Sequence, residues 1–245
     1  MEVHQQIHTR EQPKTQKEAE NSASLDRDSQ LRMSLENIFW VFVLGSVLGL
    51  ALETLYVLIL YGKLEDRAGL LFGPFSPLYG CAALTMTFLG GRLKERPLVV
   101  IFAACAFTGG ALEFFTSWFL QTAFGIVAWD YSGSWLSFEG RTNGYFMILW
   151  GVLGLAWTKG MVPLIARYGT AAIKKIDHRL TLACAVFMLV NIVLTVTTID
   201  CWFMREAGNS SQTDLQILCG ELFDNGFMAN RFQTMSINPD LSTRP

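Results

Sequence analysis

Two glutamates lie within long apolar runs of the sequence, and the rest of the chain must accommodate their chemistry. Glu53 ends the segment Gly49-Leu-Ala-Leu-Glu53, and Glu113 ends the segment Gly109-Gly-Ala-Leu-Glu113, 60 positions later. A charged side chain at the centre of a bilayer costs about 2.5–3.5 kcal/mol even on scales derived from insertion experiments. A paired cation or a water-filled cavity usually offsets that cost. The glutamates therefore predict either ion pairs inside a helical bundle or a polar ligand site.

Each glutamate is followed by a connection that carries an arginine, Arg67 in the first case and Arg141 in the second. A guanidinium can bind a carboxylate through two parallel hydrogen bonds, so these arginines are the predicted partners. Ion pairs that only stabilise the bundle and ion pairs that frame a ligand site remain equally open. Acid–base chemistry by two carboxylates is a weaker hypothesis, because any two glutamates on facing helices could support it.

No sequence motif indicates catalysis. The chain has no Gly-x-x-x-x-Gly-Lys-Ser/Thr phosphate loop, no His-Glu-x-x-His and no Gly-x-Ser-x-Gly, so those routes to ATP, peptide or ester hydrolysis are absent. The three histidines fall outside the apolar blocks, and the five cysteines fit no metal-binding spacing. The sequence therefore predicts no catalytic residue, no metal site and no other cofactor.

The elements that must position these residues are membrane spans. Apolar residues make up 51% of the chain and charged residues 16%, compared with about 25% charged in soluble domains. Because the apolar residues come in blocks, they predict an all-α polytopic transmembrane bundle. Five spans are predicted, at residues 38–60, 78–91, 98–120, 144–166 and 180–204.

The stretch 67–80 is apolar, but its glycines and prolines prevent a regular helix. Irregular backbone is tolerated at membrane depth only where protein or water covers it. The second span is also short, so residues 70–75 are predicted to complete the crossing as irregular backbone. The alternatives are a tilted helix or a locally thinned bilayer.

Polar segments flank the predicted transmembrane domain, residues 36–204. Residues 1–35 have mixed charge and almost no large apolar side chains, which predicts a disordered cytoplasmic tail. Residues 205–245 form a polar tail in which Leu215, Leu218, Leu222 and Phe223 recur at helical spacing. An amphipathic helix lying on the membrane and a loosely ordered tail are equally open there.

Basic residues predict the orientation in the cell membrane. They are concentrated in the second and fourth links between spans and rare in the third, so the N-terminus should be cytoplasmic and the C-terminus extracytoplasmic. Cys201 and Cys219 then fall near or beyond the outer end of the fifth span. Thiols on that side can oxidise, so a disulfide between them and two unpaired thiols both remain open.

The two glutamate segments match at four of five positions. With two spans between them, the copies would share one orientation, which predicts a parallel duplication of a helix–loop–helix unit followed by a fifth helix. A chance match is equally open, because glycine, alanine and leucine are abundant in every membrane helix.

A set of motifs occurs in a recognisable order: Glu53, then Arg67 with Gly69, then Gly73-Pro74-Phe75-x-Pro77-x-Tyr79-Gly80, Leu112-Glu113, Trp129-Asp130-Tyr131-Ser132, and Gly140-Arg141 before Trp150-Gly151. This set resembles the putative ABC-transporter type IV, or CmpB-like, permease family of bacterial integral membrane proteins. The similarity runs from about Ile38 to the C-terminal tail, and the Gly-Pro-Phe-x-Pro-x-Tyr-Gly element is its most specific part. In that family the arginine and glycine are usually adjacent, whereas Ala68 separates them here.

The resemblance implies a permease-like membrane subunit that works with a separate ATPase subunit, and an outward-facing polar site between the two repeats. The candidate ligand-binding residues are Glu53, Arg67, Gly73, Pro74, Pro77, Tyr79, Glu113, Asp130 and Arg141. The alternative is a non-transporting membrane scaffold or envelope-assembly protein, and a membrane enzyme acting on lipid or isoprenoid substrates ranks third. No basic patch interleaved with aromatic residues predicts a nucleic-acid partner. The substrate and a homo-oligomeric state remain open.

Overall fold

The computed structural model of the protein describes residues 34–169, 175–208 and 213–243, which form one compact unit from Leu35 onwards. Its helices are α1 Leu35–Tyr61, α2 Pro77–Leu93, α3 Leu98–Phe124, α4 Gly144–Gly169, α5 His178–Glu206, α6 Asp214–Leu222 and α7 Asn225–Arg231. Two short strands, β1 Ile126–Val127 and β2 Ser236–Ile237, pair antiparallel. The fold is therefore the predicted helical bundle. The predicted disordered tail, residues 1–35, lies outside the described residues except for its last two positions.

Four helices of the described residues, α1, α3, α4 and α5, are long and apolar enough to cross a bilayer. A helix bonds its backbone groups internally, so it can lie in hydrocarbon without water. The helix α2 has 17 residues. It is therefore about 26 Å long at 1.5 Å per residue, less than the ~30 Å of a hydrocarbon core. The helix α2, the second of the five predicted spans, is therefore too short to cross the hydrocarbon core by itself, as the sequence indicated.

Two pairs of helices, α1 with α2 and α3 with α4, pack closely at glycines. A Cβ atom at Gly49 of α1 would collide with the Tyr79 ring of α2, and a Cβ atom at Gly109 of α3 would collide with the Trp150 ring of α4. Only glycine leaves room for an aromatic ring this close to the backbone of the neighbouring helix. The glycine that precedes each glutamate therefore has the same packing role in both pairs.

One helical turn from these glycines, each helix pair has a second close contact, and the two contacts occupy equivalent positions. A Cβ atom at Gly45 of α1 would collide with Ala83 of α2, and one at Gly154 of α4 would collide with Cys105 of α3. From one pair to the other, the contact positions shift by 60 residues on the first helix and by 71 on the second. Two contacts with identical offsets support the duplicated helix–loop–helix unit.

The connection between α1 and α2 turns back into the bundle. The N–H of Ser76 donates a hydrogen bond to the carbonyl of Ser46 at 3.4 Å. Ser46 lies about 22 Å below the end of α1 at Tyr61, counting 1.5 Å per residue. The helix α2 therefore begins near the middle of the bundle, and residues 68–76, here called the re-entrant stretch, descend to that depth.

Two side chains of α5 bond the backbone of the re-entrant stretch. The N–H of Phe72 donates to Oδ1 of Asn191 at 3.1 Å, and Nδ2 of Asn191 donates to the carbonyl of Phe72 at 2.7 Å. The N–H of Leu71 donates to Oγ1 of Thr195 at 2.8 Å. Asn191 and Thr195 are both buried. Because hydrocarbon offers no hydrogen-bond partner, these side chains replace the helical bonds that the stretch lacks.

Residues 213–243, here called the C-terminal cap, fold over the end of the bundle at which α1 and α3 end. Ile237 of β2 pairs with Ile126 of β1, which directly follows α3. Met228 and Phe232 are fully buried in a small core that includes Leu71 of the re-entrant stretch. The cap is therefore tied to both the bundle and the re-entrant stretch.

Arg231 connects the cap to the re-entrant stretch most directly. Its Nε and Nη2 donate to the carbonyl of Leu70 at 3.0 and 2.6 Å, and Nη2 also donates to the carbonyl of Gly73 at 2.7 Å. Its Nη1 bonds the carboxylate of Asp66. One guanidinium thus bonds three positions of the connection between α1 and α2.

The helix predicted within residues 205–245 is α6. Its side chains Leu215, Leu218 and Leu222 are exposed, and their position on a membrane surface stays a prediction. Cys201 of α5 and Cys219 of α6 are buried free thiols that neighbour each other. The structure therefore contains the two unpaired thiols, placed close to each other.

We expect Asn191→Leu to destabilise the protein, because it leaves the N–H and the carbonyl of Phe72 buried without partners. Each lost partner costs about 1–3 kcal/mol, so the loss in free energy of unfolding should be roughly 2–6 kcal/mol. Thr197→Val is the matched control, since the Thr197 hydroxyl bonds only the Val193 carbonyl of its own helix. Thermal unfolding in detergent measures both variants, and equal melting temperatures would contradict the role of Asn191.

Candidate functional site

Glu53 forms an ion pair with the arginine predicted for it. Nε of Arg67 donates to Oε1 of Glu53 at 2.8 Å, and Nη1 of Arg67 donates to Oε2 of Glu65 at 3.2 Å. The side chains of Arg67 and Glu53 are 21% and 25% exposed, so protein partly shields the pair from solvent. The hydroxyl of Tyr79, in the first turn of α2, lies beside the Glu53 carboxylate. Glu53 therefore has a cationic partner, Arg67, and a neutral polar neighbour, Tyr79.

Glu113 is more deeply buried, with 5% of its surface exposed. The hydroxyl of Tyr131 donates to its Oε1 at 3.1 Å, and the hydroxyl of Thr142 donates to its Oε2 at 2.9 Å. The indole of Trp150 lies beside the same carboxylate. Among the described residues, no arginine or lysine pairs with Glu113. Neutral donors alone therefore satisfy this carboxylate.

The two carboxylates belong to one group of side chains, here called the polar cluster, which contains Glu53, Arg67, Tyr79, Glu113, Tyr131 and Thr142. The rings of Tyr79 and Trp150, which lie beside Glu53 and Glu113 respectively, have centroids 5.6 Å apart. The charge of Glu53 acts on both Glu113 and Tyr131. The duplicated unit thus brings its two glutamates to one place in the bundle.

Tyr131 lies in the connection between α3 and α4. Burial raises the pKa of its phenol far above the ordinary value, and the nearby charge of Glu113 raises that pKa further. Its ring stacks on Phe146 with the centroids 4.7 Å apart. Tyr131 is therefore held as a neutral hydrogen-bond donor to Glu113.

Arg141 lies outside the polar cluster, although the sequence predicted it as a partner of a glutamate. Its Nη1 donates to Oγ of Ser117 at 3.4 Å, one helical turn from Glu113, and its guanidinium lies 5.9 Å from the Phe114 ring centroid. Its Nε is 3.5 Å from the exposed carboxylate of Glu139. The second copy of the unit therefore lacks the ion pair that the first copy has.

Asp130 is exposed and does not reach the polar cluster. Its Oδ1 accepts a hydrogen bond from the N–H of Ser132 at 2.8 Å. Bonds from the hydroxyl and the backbone N–H of Ser132 hold the pKa of Asp130 below its ordinary value. Asp130 was predicted as a site residue, but its carboxylate bonds within its own surface turn.

The glycine and prolines of the predicted site shape the re-entrant stretch. Gly73 has a φ of +76°, and a Cβ atom there would lie 2.5 Å from the ring of Phe75, so the turn requires glycine. Pro77 is the first residue of α2, where its missing N–H removes no helical bond. Pro74 lies beside Gly73 and lines a cavity with it.

This cavity has a volume of about 590 Å³ and meets the polar cluster at Arg67. It lies between one face of α1 and the connection between α1 and α2. Arg231 of the cap lines it as well. The structure therefore brings Arg67, Gly73 and Pro74 to a cavity, and it brings Glu53, Tyr79 and Glu113 to the polar cluster beside it.

Sequence reasoning missed three residues that hold this site together. Asn191 carried a usable signal, because an amide inside an apolar span is expensive unless it is bonded. Thr142 follows Arg141 directly, but no spacing rule distinguishes which of the two faces Glu113. Arg231 carried no signal, since 161 residues separate it from Leu70.

The polar cluster can bind a polar group by exchanging its internal hydrogen bonds. Its carboxylates accept bonds from an ammonium, an amide or a hydroxyl, and Arg67 can donate to an anion. Each ligand bond would replace an existing internal bond. Binding without loss of stability therefore requires a ligand whose groups match those donors and acceptors.

A double-mutant cycle should separate the two glutamates. Glu53→Ala removes the nearer carboxylate of Arg67, which keeps its bond to Glu65. The change should cost roughly 2–4 kcal/mol, because breaking a buried pair costs about 3–5 kcal/mol and this pair is partly exposed. Glu53→Ala with Arg67→Ala should cost less than the sum of the two single changes. The matched pair, Glu113→Ala with Arg141→Ala, should be additive within about 0.5 kcal/mol. Equal coupling in both pairs, measured by chemical unfolding, would contradict the arrangement.

Comparison with known proteins assigns the family. A family model described as "Putative ABC-transporter type IV" matches residues 40–196, well over half of the chain. The match covers all of α2 and α3 and most of α1, and it therefore includes both glutamates of the polar cluster. No curated protein and no solved structure matches the chain. The chain belongs to the family described as "Putative ABC-transporter type IV".

Proposed function

We propose that the chain is the membrane-spanning subunit of an ABC-type transporter, with its substrate site at the polar cluster. The observation that carries the proposal is Glu113, which is buried yet bonded only by neutral donors. It lies about 16 Å below the end of α3, counting 1.5 Å per residue. A carboxylate at such depth is expensive, and intramembrane carboxylates generally mark substrate or ion pathways.

The substrate reaches the cluster from the end of the bundle that carries the C-terminal cap. Tyr131 and Thr142 come from the connection at this end, and Arg67 comes from the neighbouring one. An approaching amine or hydroxyl group would displace the Tyr131 and Thr142 hydroxyls from Glu113. Family membership supports the transporter role, and the basic links support an outward position for this end.

A separate ATPase subunit supplies the energy and binds at the opposite, cytoplasmic end. The chain contains no phosphate loop of its own. At that end, Nζ of Lys159 donates to the carbonyl of Lys94 at 2.7 Å, which ties α4 to the short link after α2. Because of this bond, a movement of the link caused by the ATPase subunit would be transmitted to both α2 and α4.

A non-transporting scaffold is the second candidate. The observation that favours it is the internal bonding of Glu53 by Arg67 and of Glu113 by Tyr131 and Thr142, which is what residues that only stabilise a bundle would show. The two candidates differ in what removal of charge at Glu113 does. A scaffold would lose stability, whereas a transport site would lose activity.

Glu113→Gln is expected to abolish substrate-dependent stimulation of the partner ATPase, because a neutral amide cannot attract a cationic or strongly donating group. The variant should still accumulate, copurify with the ATPase and melt within about 1 kcal/mol of the parent, since the amide oxygen still accepts one hydroxyl bond. Glu221→Gln, at an exposed position of α6, is the matched control. A tagged chain that retains no ATPase, with Glu113→Gln strongly destabilised, would favour the scaffold.

Reporter fusions test the orientation. A reporter that is active only outside the cytoplasm should be active when fused after Gly208 and silent when fused within residues 168–175. The prediction follows from the concentration of basic residues in the second and fourth links. The reverse pattern at both sites would overturn the orientation. Disagreement at the C-terminal site alone would mean that the number of spans differs from five.

A further inference from the structure

The cavity beside the re-entrant stretch has an apolar wall. The wall is formed by Val47, Leu50, Ala51, Leu55 and Leu58 of α1. Thr54 lies among them, and its hydroxyl bonds the Leu50 carbonyl of its own helix. These positions follow the three- and four-residue spacing of one helix face. They belong to a helix long and apolar enough to cross the membrane, and Leu55 and Leu58 are about half exposed. The wall is therefore suited to a hydrocarbon chain.

The length of the wall corresponds to one leaflet. From Val47 to Leu58 the helix rises about 16 Å at 1.5 Å per residue, roughly half of a ~30 Å hydrocarbon core. Leu58 lies less than one turn from Tyr61, where α1 ends. The wall thus begins near the polar boundary of the membrane and ends near its middle.

The rim of the cavity carries both signs of charge. Four charged side chains line it: Glu65, Asp66, Arg67 and Arg231. Nη1 of Arg67 donates to Glu65 at 3.2 Å, and Arg231 bonds Asp66. The carboxylates of Glu65 and Asp66 are 33% and 36% exposed, more than either arginine. These four residues have no net formal charge, so the rim does not favour an anion over a group that carries both signs.

We propose that this cavity binds one zwitterionic phospholipid of the leaflet that adjoins the cap. Its phosphate contacts Arg67 and Arg231, its ammonium contacts Glu65 and Asp66, and one acyl chain lies along the α1 wall. An anionic phospholipid would bond the arginines but would be repelled by the two carboxylates. The lipid binds whether or not the chain is a transporter, although its site shares Arg67 with the polar cluster.

Arg231 contributes to this site from outside the region that the family model matches. The match ends at residue 196, and Arg231 belongs to the cap beyond it. The same guanidinium bonds the carbonyls of Leu70 and Gly73, which fixes the position of the rim. One of the two arginines that contact the phosphate therefore comes from a segment outside the matched region.

Native mass spectrometry of the purified full-length protein tests the proposal, with phosphatidylethanolamine and phosphatidylglycerol of identical acyl chains as probes. We expect one phosphatidylethanolamine per chain and a roughly tenfold preference over phosphatidylglycerol, the effect of one charge-assisted contact. Glycerophosphoethanolamine, the same headgroup without chains, should not compete. Equal binding of the two lipids, or competition by the free headgroup at equal concentration, would overturn the proposal.

Two variants locate the site. Ala51→Trp fills the apolar wall and should weaken phosphatidylethanolamine binding by about tenfold or more. Ala103→Trp is the matched control, because Ala103 is an exposed alanine of α3 that does not line the cavity. Asp66→Asn removes one carboxylate from the rim and should reduce the preference for the zwitterionic lipid. Equal lipid binding by the two tryptophan variants would refute the site even if the Asp66 variant failed to fold.

Discussion

The structure depends on hydrogen bonds to an irregular backbone at membrane depth. Phe72 has no helical partner for its N–H or its carbonyl, and Asn191 supplies both. Because this bonding is possible, the connection after α1 can enter the bundle, and α2 can begin beside Ser46. That depth places Tyr79 next to Glu53. Without the amide of Asn191, the re-entrant stretch would expose unpaired peptide groups to hydrocarbon.

The two copies of the helix–loop–helix unit share their packing but differ in their chemistry. Glycine faces an aromatic ring at the same register in both copies. The first connection carries Arg67 to Glu53, whereas the second directs the hydroxyls of Tyr131 and Thr142 to Glu113. One carboxylate is therefore stabilised by an arginine and the neighbouring one by neutral hydroxyl groups. This asymmetry gives the polar cluster a charged end and a neutral end.

Local sequence patterns predicted the features that local physics determines. Blocks of apolar residues located the helices, and the glycines and prolines between Arg67 and Gly80 marked the re-entrant stretch. The pairing of Arg67 with Glu53 follows from the short connection between them. Arg141 differs, because a tight turn, in which Phe138 and Thr142 pair, directs Thr142 rather than Arg141 at Glu113. The contacts of Arg231 depend on how the whole cap folds, and residue spacing alone does not predict them.

The bonds of Arg231 have a consequence for the order of synthesis. Leu70 and Arg231 are 161 positions apart. At 5–20 residues per second, the ribosome adds that length in roughly 8–32 s. During this interval the first hairpin is already made, but the carbonyls of Leu70 and Gly73 still lack their guanidinium. A segment that is made late therefore completes a hairpin that is made early, and a chain terminated before Arg231 would leave these carbonyls without that donor.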